Sequence, residues 1–211
     1  MRLVTAVRSG RIAFSATTAI LTVALGAGPA ATTTWTVAPG GPFTGHAGTT
    51  KLEDTTDGNS LNCSSSVLSG SFKPGTGLSG TDIGSITGGG KFVNCLSPFP
   101  LGYTITLRGL PWHVSVTADH NGVVRGTISR IEITASLPAC NFTIDGTAAG
   151  AFDGIAQFSY SNATHTLKLL PAGTNLHYFK VNGCAGLINS GDSAAYLASY
   201  PITPGQTITG P

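Results

Sequence analysis

The chain has 211 residues, with 11 Lys+Arg against 9 Asp+Glu and a formal net charge of +2. Charged residues make up 9% of it, against about 25% in ordinary soluble domains, while apolar residues reach 41%. That balance excludes a disordered chain, which needs few apolar residues and high net charge. It also excludes a nucleic-acid binder, which needs a basic footprint to neutralise phosphates.

The first segment reads as a targeting signal. Arg2, Arg8 and Arg11 form a basic start, and Ile12 to Gly26 is an uncharged, largely apolar run. Small residues then converge on Gly28, Pro29, Ala30 and Ala31, before Thr at 32–34. This layout predicts a secretory signal peptide over 1–31 and a single secreted β domain over 32–211. A membrane anchor would need roughly 20 apolar residues, and this run is shorter and diluted by Ser and Thr. Taking the three leader Arg from the 11 basic residues leaves 8 against 9 acidic ones, so the basicity belongs to the leader. An exported domain with an even number of Cys (63, 95, 140 and 184) predicts two disulfides. Three pairings are open. Cys63–Cys95 with Cys140–Cys184 is preferred, because each bridge then stays within one half of the chain. Zinc is not expected: no Cys-x-x-Cys pair exists and no His lies at ligand spacing from a Cys.

Past the leader, Gly and Pro recur too often for helices of ordinary length. Residues 70–90 are Gly-rich with few large side chains, and read as a long loop or loose edge. From residue 103 the chain alternates apolar and polar residues, the mark of half-buried strands. Tyr103, Ile105 and Leu107 begin it, and Val114 and Val116 continue it after Pro111. Asn121-Gly122 then predicts a two-residue type I′ hairpin, since both central residues of that turn need positive φ. The return strand carries Val124, Gly126 and Ile128, then Ile131 and Ile133. That change of parity near Ser129 predicts a β-bulge or a hand-over between sheets. Phe142 and Ile144 form a short strand. Phe158 and Tyr160 lead to a hairpin tip at 161–165, from which Leu167 and Leu169 return. Residues 176–181 are apolar on both parities, which predicts a central strand covered on both faces. Tyr196, Ala198 and Tyr200 alternate again, and 201–211 reads as a last edge strand. The fold class is all-β, an antiparallel β-sandwich or β-barrel stabilised by two disulfides. The largest hydrophobic cluster is expected in the second half, around Val114, Val116, Ile131, Ile133, Phe142, Phe158, Tyr160, Leu167, Phe179 and Val181.

No set of residues announces catalysis. Gly191-Asp192-Ser193 and Thr117-Ala118-Asp119-His120 look faintly like the Ser and His segments of chymotrypsin-like proteases. The former continues Ala194-Ala195, where an oxyanion hole of that kind uses glycines. It reads as a polar turn, and His120 falls in a hairpin tip. There is no Gly-x-Ser-x-Gly elbow, and Gly88-Gly89-Gly90-Lys91 lacks the spacing and hydroxyl of a phosphate loop. Glu132, Asp145, Asp153 and Asp192 are the carboxylates for glycosidase-like chemistry, but Glu132 alternates with Arg130 and Thr134, as on a solvated strand face. Glu53, Asp54 and Asp57 lack the ordered spacing of a calcium loop and read as a solvated turn. His46, His113, His120, His165 and His177 read as packed or exposed. Asn62, Asn141 and Asn162 head glycosylation sequons. The expectation is no catalytic residue, no metal ligand and no cofactor.

Trp35-x-Val37-x-Pro39-Gly40-Gly41, the four spaced Cys, Gly183-Cys184-Ala185-Gly186-Leu187 before Gly191-Asp192, and Tyr200-x-Ile202-x-Pro204-x-Gln206-x-Ile208 together resemble a group of small secreted β-rich proteins of actinobacteria. The resemblance implies export and a β fold, and no activity. Val116-Thr117-Ala118-Asp119-x-Asn121-Gly122 is also similar to a hairpin of the neocarzinostatin-type apoproteins, as shared hairpin grammar. The function expected is a secreted, non-enzymatic binding or cell-surface module. Its partner would be a glycan, a cell-envelope component or a small hydrophobic ligand, and not nucleic acid. The alternatives are an extracellular hydrolase with an unrecognised site and an envelope-inserted β-barrel.

Overall fold

The structure is a computed structural model, and it describes residues 34–97 and 102–211. The expected signal peptide, 1–31, lies outside the described residues. What is described is all-β, with no helix.

Trp35–Ala38 (β1) comes first, and the chain then runs up and down eight times. The first pass joins Gly41–Ala47 (β2) to Thr50–Asp54 (β3), and the second joins Ser60–Cys63 (β4) to Ser66–Phe72 (β5). Gly75–Leu78 (β6) sits in the next connection. The third pass is Gly84–Gly89 (β7) with Cys95–Leu96 (β8), and the fourth is Gly102–Arg108 (β9) with Trp112–His120 (β10). The fifth is one long strand, Val123–Leu137 (β11). Cys140–Asp145 (β12) and Gly154–Ser161 (β13) make the sixth, and Thr166–Leu169 (β14) and His177–Asn182 (β15) the seventh. Ala194–Leu197 (β16) and Ser199–Thr203 (β17) make the eighth, and Thr207–Thr209 (β18) ends the chain.

Each pass gives one strand to each of two stacked rings. The first ring runs β2-β5-β7-β10-β11-β13-β14-β17 and closes from β17 back to β2, antiparallel throughout. The second runs β3-β4-β8-β9-β11-β12-β15, and β16 returns to β3. Between β15 and β16 the ring is closed by Tyr178 N–H donating to Asp192 O (2.9 Å), Gly191 N–H to Tyr178 O (2.7 Å) and Ala194 N–H to Leu176 O (2.8 Å). In both rings the strands follow chain order. The fold is therefore an up-and-down eight-stranded barrel whose wall changes direction halfway along. Of the two architectures the sequence left open, the barrel is the one formed.

The strand breaks have local causes. In β11 the register slips between Ser129 and Ile131, and Arg130 takes φ +67°. The expected change of parity is thus both a bulge and a hand-over between rings. The Asn121-Gly122 turn forms as expected, with His120 opposite Val123 and φ of +54° and +78°. Three neighbouring passes break at 48–49, 64–65 and 198, and there a chain of buried hydroxyls links Thr50, Ser66, Tyr200 and Tyr196. These buried hydroxyls satisfy one another inside the barrel, and Thr50 Oγ1 also reaches the Gly48 carbonyl at 3.4 Å.

One end is plugged. β1 lies between β18 and β6 in a three-stranded sheet. Asn162 fastens it by donating to Ile208 O and accepting from Ile208 N–H, at 2.7 and 2.8 Å. Trp35, Val37 and Ile208 are buried there. The expected edge strand near the C-terminus is thus β18, paired to β1.

Residues 70–90 correct the loop alternative of the sequence reading: they form the end of β5, then β6 and β7, and only β6, an exposed edge of the three-stranded sheet, matches the edge alternative. The reason is a repeated steric device. Phe43 lies opposite Gly70, Phe72 opposite Gly84 and Phe158 opposite Gly126. In each pair a Cβ on the glycine would stand within 2.9 Å of the phenyl ring. An eight-stranded barrel has room for little more than its own side chains. Glycine opposite phenylalanine lets a large ring fill volume that two ordinary residues would over-pack.

Two further expectations are corrected. The core is one cluster running through the whole barrel, and Phe43, Leu52, Leu61, Leu68, Phe72, Ile83 and Ile86 of the first half belong to it. Residues 176–181 are not covered on both faces. Lys180 takes φ +50° and shifts the register, so Tyr178 and Val181 both pack on the core while Phe179 stays half-buried beside His177. Apolar residues on both parities came from a bulge. Both expected disulfides, Cys63–Cys95 and Cys140–Cys184, are formed.

The glycine device gives a clean test. At Gly126 a Cβ would meet the Ser115 carbonyl at 2.0 Å, whereas Gly102 has nothing within 4 Å of that position. Gly126→Ala should cost about 2–3 kcal/mol by overpacking, and Gly102→Ala should change stability by less than ~0.5 kcal/mol. Urea unfolding of the two variants checks this, and equal midpoints would contradict the packing account.

Candidate functional site

The end opposite the plug is built from the turn after β3, residues 183–193 between β15 and β16, and the β11–β12 turn. Alternation along the second ring points Leu61, Tyr103, Leu137 and Phe142 toward the axis. The 183–193 segment folds over them with Leu187 and Ile188. Cys140–Cys184 holds that segment to the start of β12, with its Cα atoms 4.4 Å apart. Asn59 Nδ2 donates to Leu187 O at 2.8 Å and ties it to the turn on the other side. Between these groups lies a cavity of about 140 Å³ with mainly apolar walls. Two larger hollows, of about 430 and 470 Å³, lie on the outer wall and open broadly to solvent.

Beside that cavity stands a carboxylate group that the sequence did not reveal. Asp54, Asp57 and Asp192 bring ligand oxygens within 4.8 Å of one another. The reading of Glu53, Asp54 and Asp57 as a solvated turn fails at Asp54, which is fully buried. Alternation in β3 turns Asp54 inward and leaves Glu53 outside, paired with Lys51 at 3.1 Å. Asp54 Oδ1 accepts from Thr56 N–H and Asp57 N–H at 2.8 and 3.2 Å. Its Oδ2 is buried and has no hydrogen-bond partner among the described residues. Burial raises the carboxyl above its ordinary value, and the nearby Asp192 charge adds to the rise.

A second carboxylate pair lies on the outer wall under residues 146–154. The sequence placed Glu132 on a solvated face, yet it is only 5% exposed. It stands beside Asp145 on the neighbouring strand, and Gly150 N–H donates to its Oε2 at 2.6 Å. Asp145 is a hub. It accepts from the N–H groups of Gly146, Gly150, Phe152, Asp153 and Gly154 at 2.7–3.2 Å. The connection from β12 to β13 coils around this one carboxylate and buries Glu132 as it does so. Burial, then the hydrogen bond to Asp145, raise the Glu132 carboxyl above its ordinary value. Arg108, 4.0 Å away and 58% exposed, offsets this only in part.

Ser193 and His120 are not brought together as a catalytic pair. His120 is exposed at the β10–β11 tip, at the plugged end. Ser193 lies at the open end, where its backbone bonds to Thr55 and Thr56. The neighbour of Ser193 is His177, which in turn pairs with Asp145. Among the described residues no hydrogen bond joins these three side chains, and Asp145 is taken up by backbone N–H donors. Gly191 and Asp192 belong to a turn closed by Asp192 N–H donating to Asn189 O, as expected, whereas Ser193 already bridges to His177. Of the remaining candidates, Asp153 binds Thr147 and its carboxyl is lowered by those hydrogen bonds. The Asn162 amide is held by Ile208, and Asn141 accepts from Ser136 Oγ.

Comparison with protein families, characterised proteins and solved structures finds no match to the chain. The geometry of the site therefore carries the functional argument by itself.

The Glu132 carboxyl sets a pH test. Its folded pKa is raised, so the folded state binds the extra proton and loses stability as pH rises from the ordinary carboxylate range through the raised value. Glu132→Gln removes that cost. The variant should melt above wild type at neutral pH, and the gap should close as pH falls to about 4. Circular dichroism melts across that range check it. A gap independent of pH would contradict the assignment.

Proposed function

We propose that the protein is a secreted, non-enzymatic binding module that takes an apolar group of its ligand into the open end of the barrel. The observation that carries this is the partly open apolar cavity beside the Cys140–Cys184 bridge, at the end that no sheet of the described residues plugs. Its volume of about 140 Å³ is close to that of an apolar cavity that accepts a benzene-sized molecule. The ligand class is therefore a small hydrophobic molecule, or an envelope component that presents one compact ring or short alkyl group. A glycan would need several convergent polar groups, and the walls are mainly apolar.

Export is supported by the basic and apolar leader and by two disulfides, which persist in oxidising compartments. The hydrolase alternative gains little. Glu132 and Asp145 lie beneath a loop and outside the cavity lining. The envelope-inserted alternative would require apolar side chains facing outward. Here most face inward, Val67, Val123 and Ile155 excepted, while Ser69, Ser71, Thr106, Thr117, Ser159 and Lys168 occupy outward positions of the wall.

The test fills the cavity from its exposed rim. Ala139 lines it and is itself exposed, so Ala139→Phe should block the mouth without entering the core. A series of para-alkylphenols titrated calorimetrically should bind wild type, gaining up to ~0.8 kcal/mol per buried methylene until the cavity is full. Ala139→Phe should weaken each member at least tenfold. Absence of saturable binding, or binding indifferent to Ala139→Phe, would refute the proposal.

A further inference from the structure

We propose that Asp54, Asp57 and Asp192 form a binding site for one divalent cation of the calcium class, which joins the turn after β3 to the segment before β16. The inference stands on its own observations and does not depend on the identity of any cavity ligand.

Three facts carry it. The first is convergence. The three carboxylates come from positions 54, 57 and 192, and their ligand oxygens lie within 4.8 Å of one another. Such a gathering of like charge is unfavourable unless something positive or a proton sits among them. The second is the unsatisfied oxygen. Asp54 is fully buried, its Oδ1 is committed to two backbone N–H groups, and its Oδ2 has no hydrogen-bond partner among the described residues. A buried polar atom left without a partner costs on the order of 1–3 kcal/mol, and more when charged. Native structures keep few of them, and an ion is one recognised reason. The third is that, among the described residues, no Lys, Arg or His pairs with these carboxylates. The groups that act on Asp54 are two backbone donors and the Asp192 carboxylate. The neighbouring Lys51 is already paired with Glu53 on the outer wall.

The donor chemistry names the class of ion. The cluster contains carboxylate oxygens and no His or Cys, which selects a hard cation and disfavours zinc or copper. Calcium accepts six to eight oxygens in flexible geometry, whereas magnesium demands a near-ideal octahedron and keeps its waters. Here the oxygens come from the end of β3, the turn that follows it and the segment before β16, so no single regular element sets their geometry. One donor, Asp57, is exposed, so water can complete the shell. Calcium suits this set better.

The placement gives the ion a mechanical role. The turn that carries Asp54 and Asp57 also carries Asn59, and the segment that carries Asp192 also carries Leu187 and Ile188. All three of these neighbours line the apolar cavity. The two connections are already joined by Thr55 Oγ1 donating to Ser193 O (3.2 Å) and Ser193 N–H donating to Thr56 Oγ1 (3.0 Å). These bonds are solvent-exposed and weak by themselves. A cation shared by Asp54 and Asp192 would lock the same junction from inside and hold the rim of the cavity in one geometry.

The experiment uses the disulfide-bonded protein stripped with chelator, then titrated with CaCl2 and, separately, MgCl2 by calorimetry, with thermal melts in parallel. One calcium site is expected, with Kd of roughly 10⁻⁵–10⁻³ M, magnesium at least tenfold weaker, and a melting temperature that rises with calcium. Asp54→Asn keeps an acceptor for Thr56 and Asp57 and places an amide donor toward Asp192. It should fold, melt no lower than the stripped wild type, and lose at least a hundredfold in calcium affinity. Asp57→Asn alters only an exposed side chain and should weaken binding about tenfold while leaving the stripped protein's melt unchanged. No heat and no thermal shift up to about 10 mM of either ion, a concentration well above the weakest ordinary extracellular sites, would overturn the proposal. Asp54 would then be a neutral acid sharing its proton with Asp192, and Asp54→Asn alone would still raise the melting temperature. Calcium binding that both variants leave intact would overturn it equally, because the ion would sit elsewhere.

Discussion

Closure is the constraint on which the rest of this structure depends. A sheet of eight strands that returns to its first strand has no edge to protect, but it encloses an interior of fixed width. Everything inside must fit that width. The Phe43–Gly70, Phe72–Gly84 and Phe158–Gly126 pairs are the local answer in the first ring, where a ring on one strand takes the room that its partner gives up. The hydroxyl chain from Thr50 to Tyr196 lies at the waist, where the strands break, and its members satisfy one another in the interior. At the open end the side chains no longer fill the width, and the shortfall is the cavity.

The same constraint explains why the wall is broken. An antiparallel barrel tilts and coils its strands, and long uninterrupted strands resist that curvature. Bulges and positive-φ residues relieve it. Arg130 does so in β11 and Lys180 does so in β15, each at φ between +50° and +67°. The two non-glycine residues are charged and exposed or nearly so. Their side chains leave the wall where the pleat turns, and no apolar contact is lost by the excursion.

How much of this is legible in the sequence follows from the range of each signal. The Asn121-Gly122 turn, the 161–165 tip, the parity change near Ser129 and both disulfides are local or depend on spacing along one half of the chain, and they were readable. The glycine-rich stretch 70–90 was misread because its strand character depends on Phe43 and Phe72, and Phe43 lies opposite Gly70 only after folding. The strand at 176–181 was misread because one bulged residue reproduces the pattern of a two-sided strand. Glu132 was misplaced because its outward parity was right but its cover was invisible. That cover is the 146–154 connection, and it coils over the wall only because Asp145 accepts five of its N–H groups. The candidate site failed for the same reason on a larger scale: Asp54 and Asp192 are 138 positions apart, and only ring closure between β16 and β3 makes them neighbours.

That last juxtaposition also explains why the acidic cluster belongs at the open end and not at the plugged one. At the plugged end, β18 and β1 supply backbone partners and apolar cover, with Asn162 bonding in both senses to Ile208 and Trp35 buried. The open end has no such sheet among the described residues. Its cover is a long connection between β15 and β16, pinned at one side by Cys140–Cys184 and at the other by exposed and part-buried hydrogen bonds to the turn after β3. A covalent bridge fixes the first side permanently. The second side is held by non-covalent bonds alone, and among the described residues Asp54 is the buried group there with an oxygen still to satisfy. A ligand or ion that engages that oxygen acts where the β16–β3 ladder already fixes the wall, so its binding energy goes into ordering the rim and little of it is lost in moving the wall.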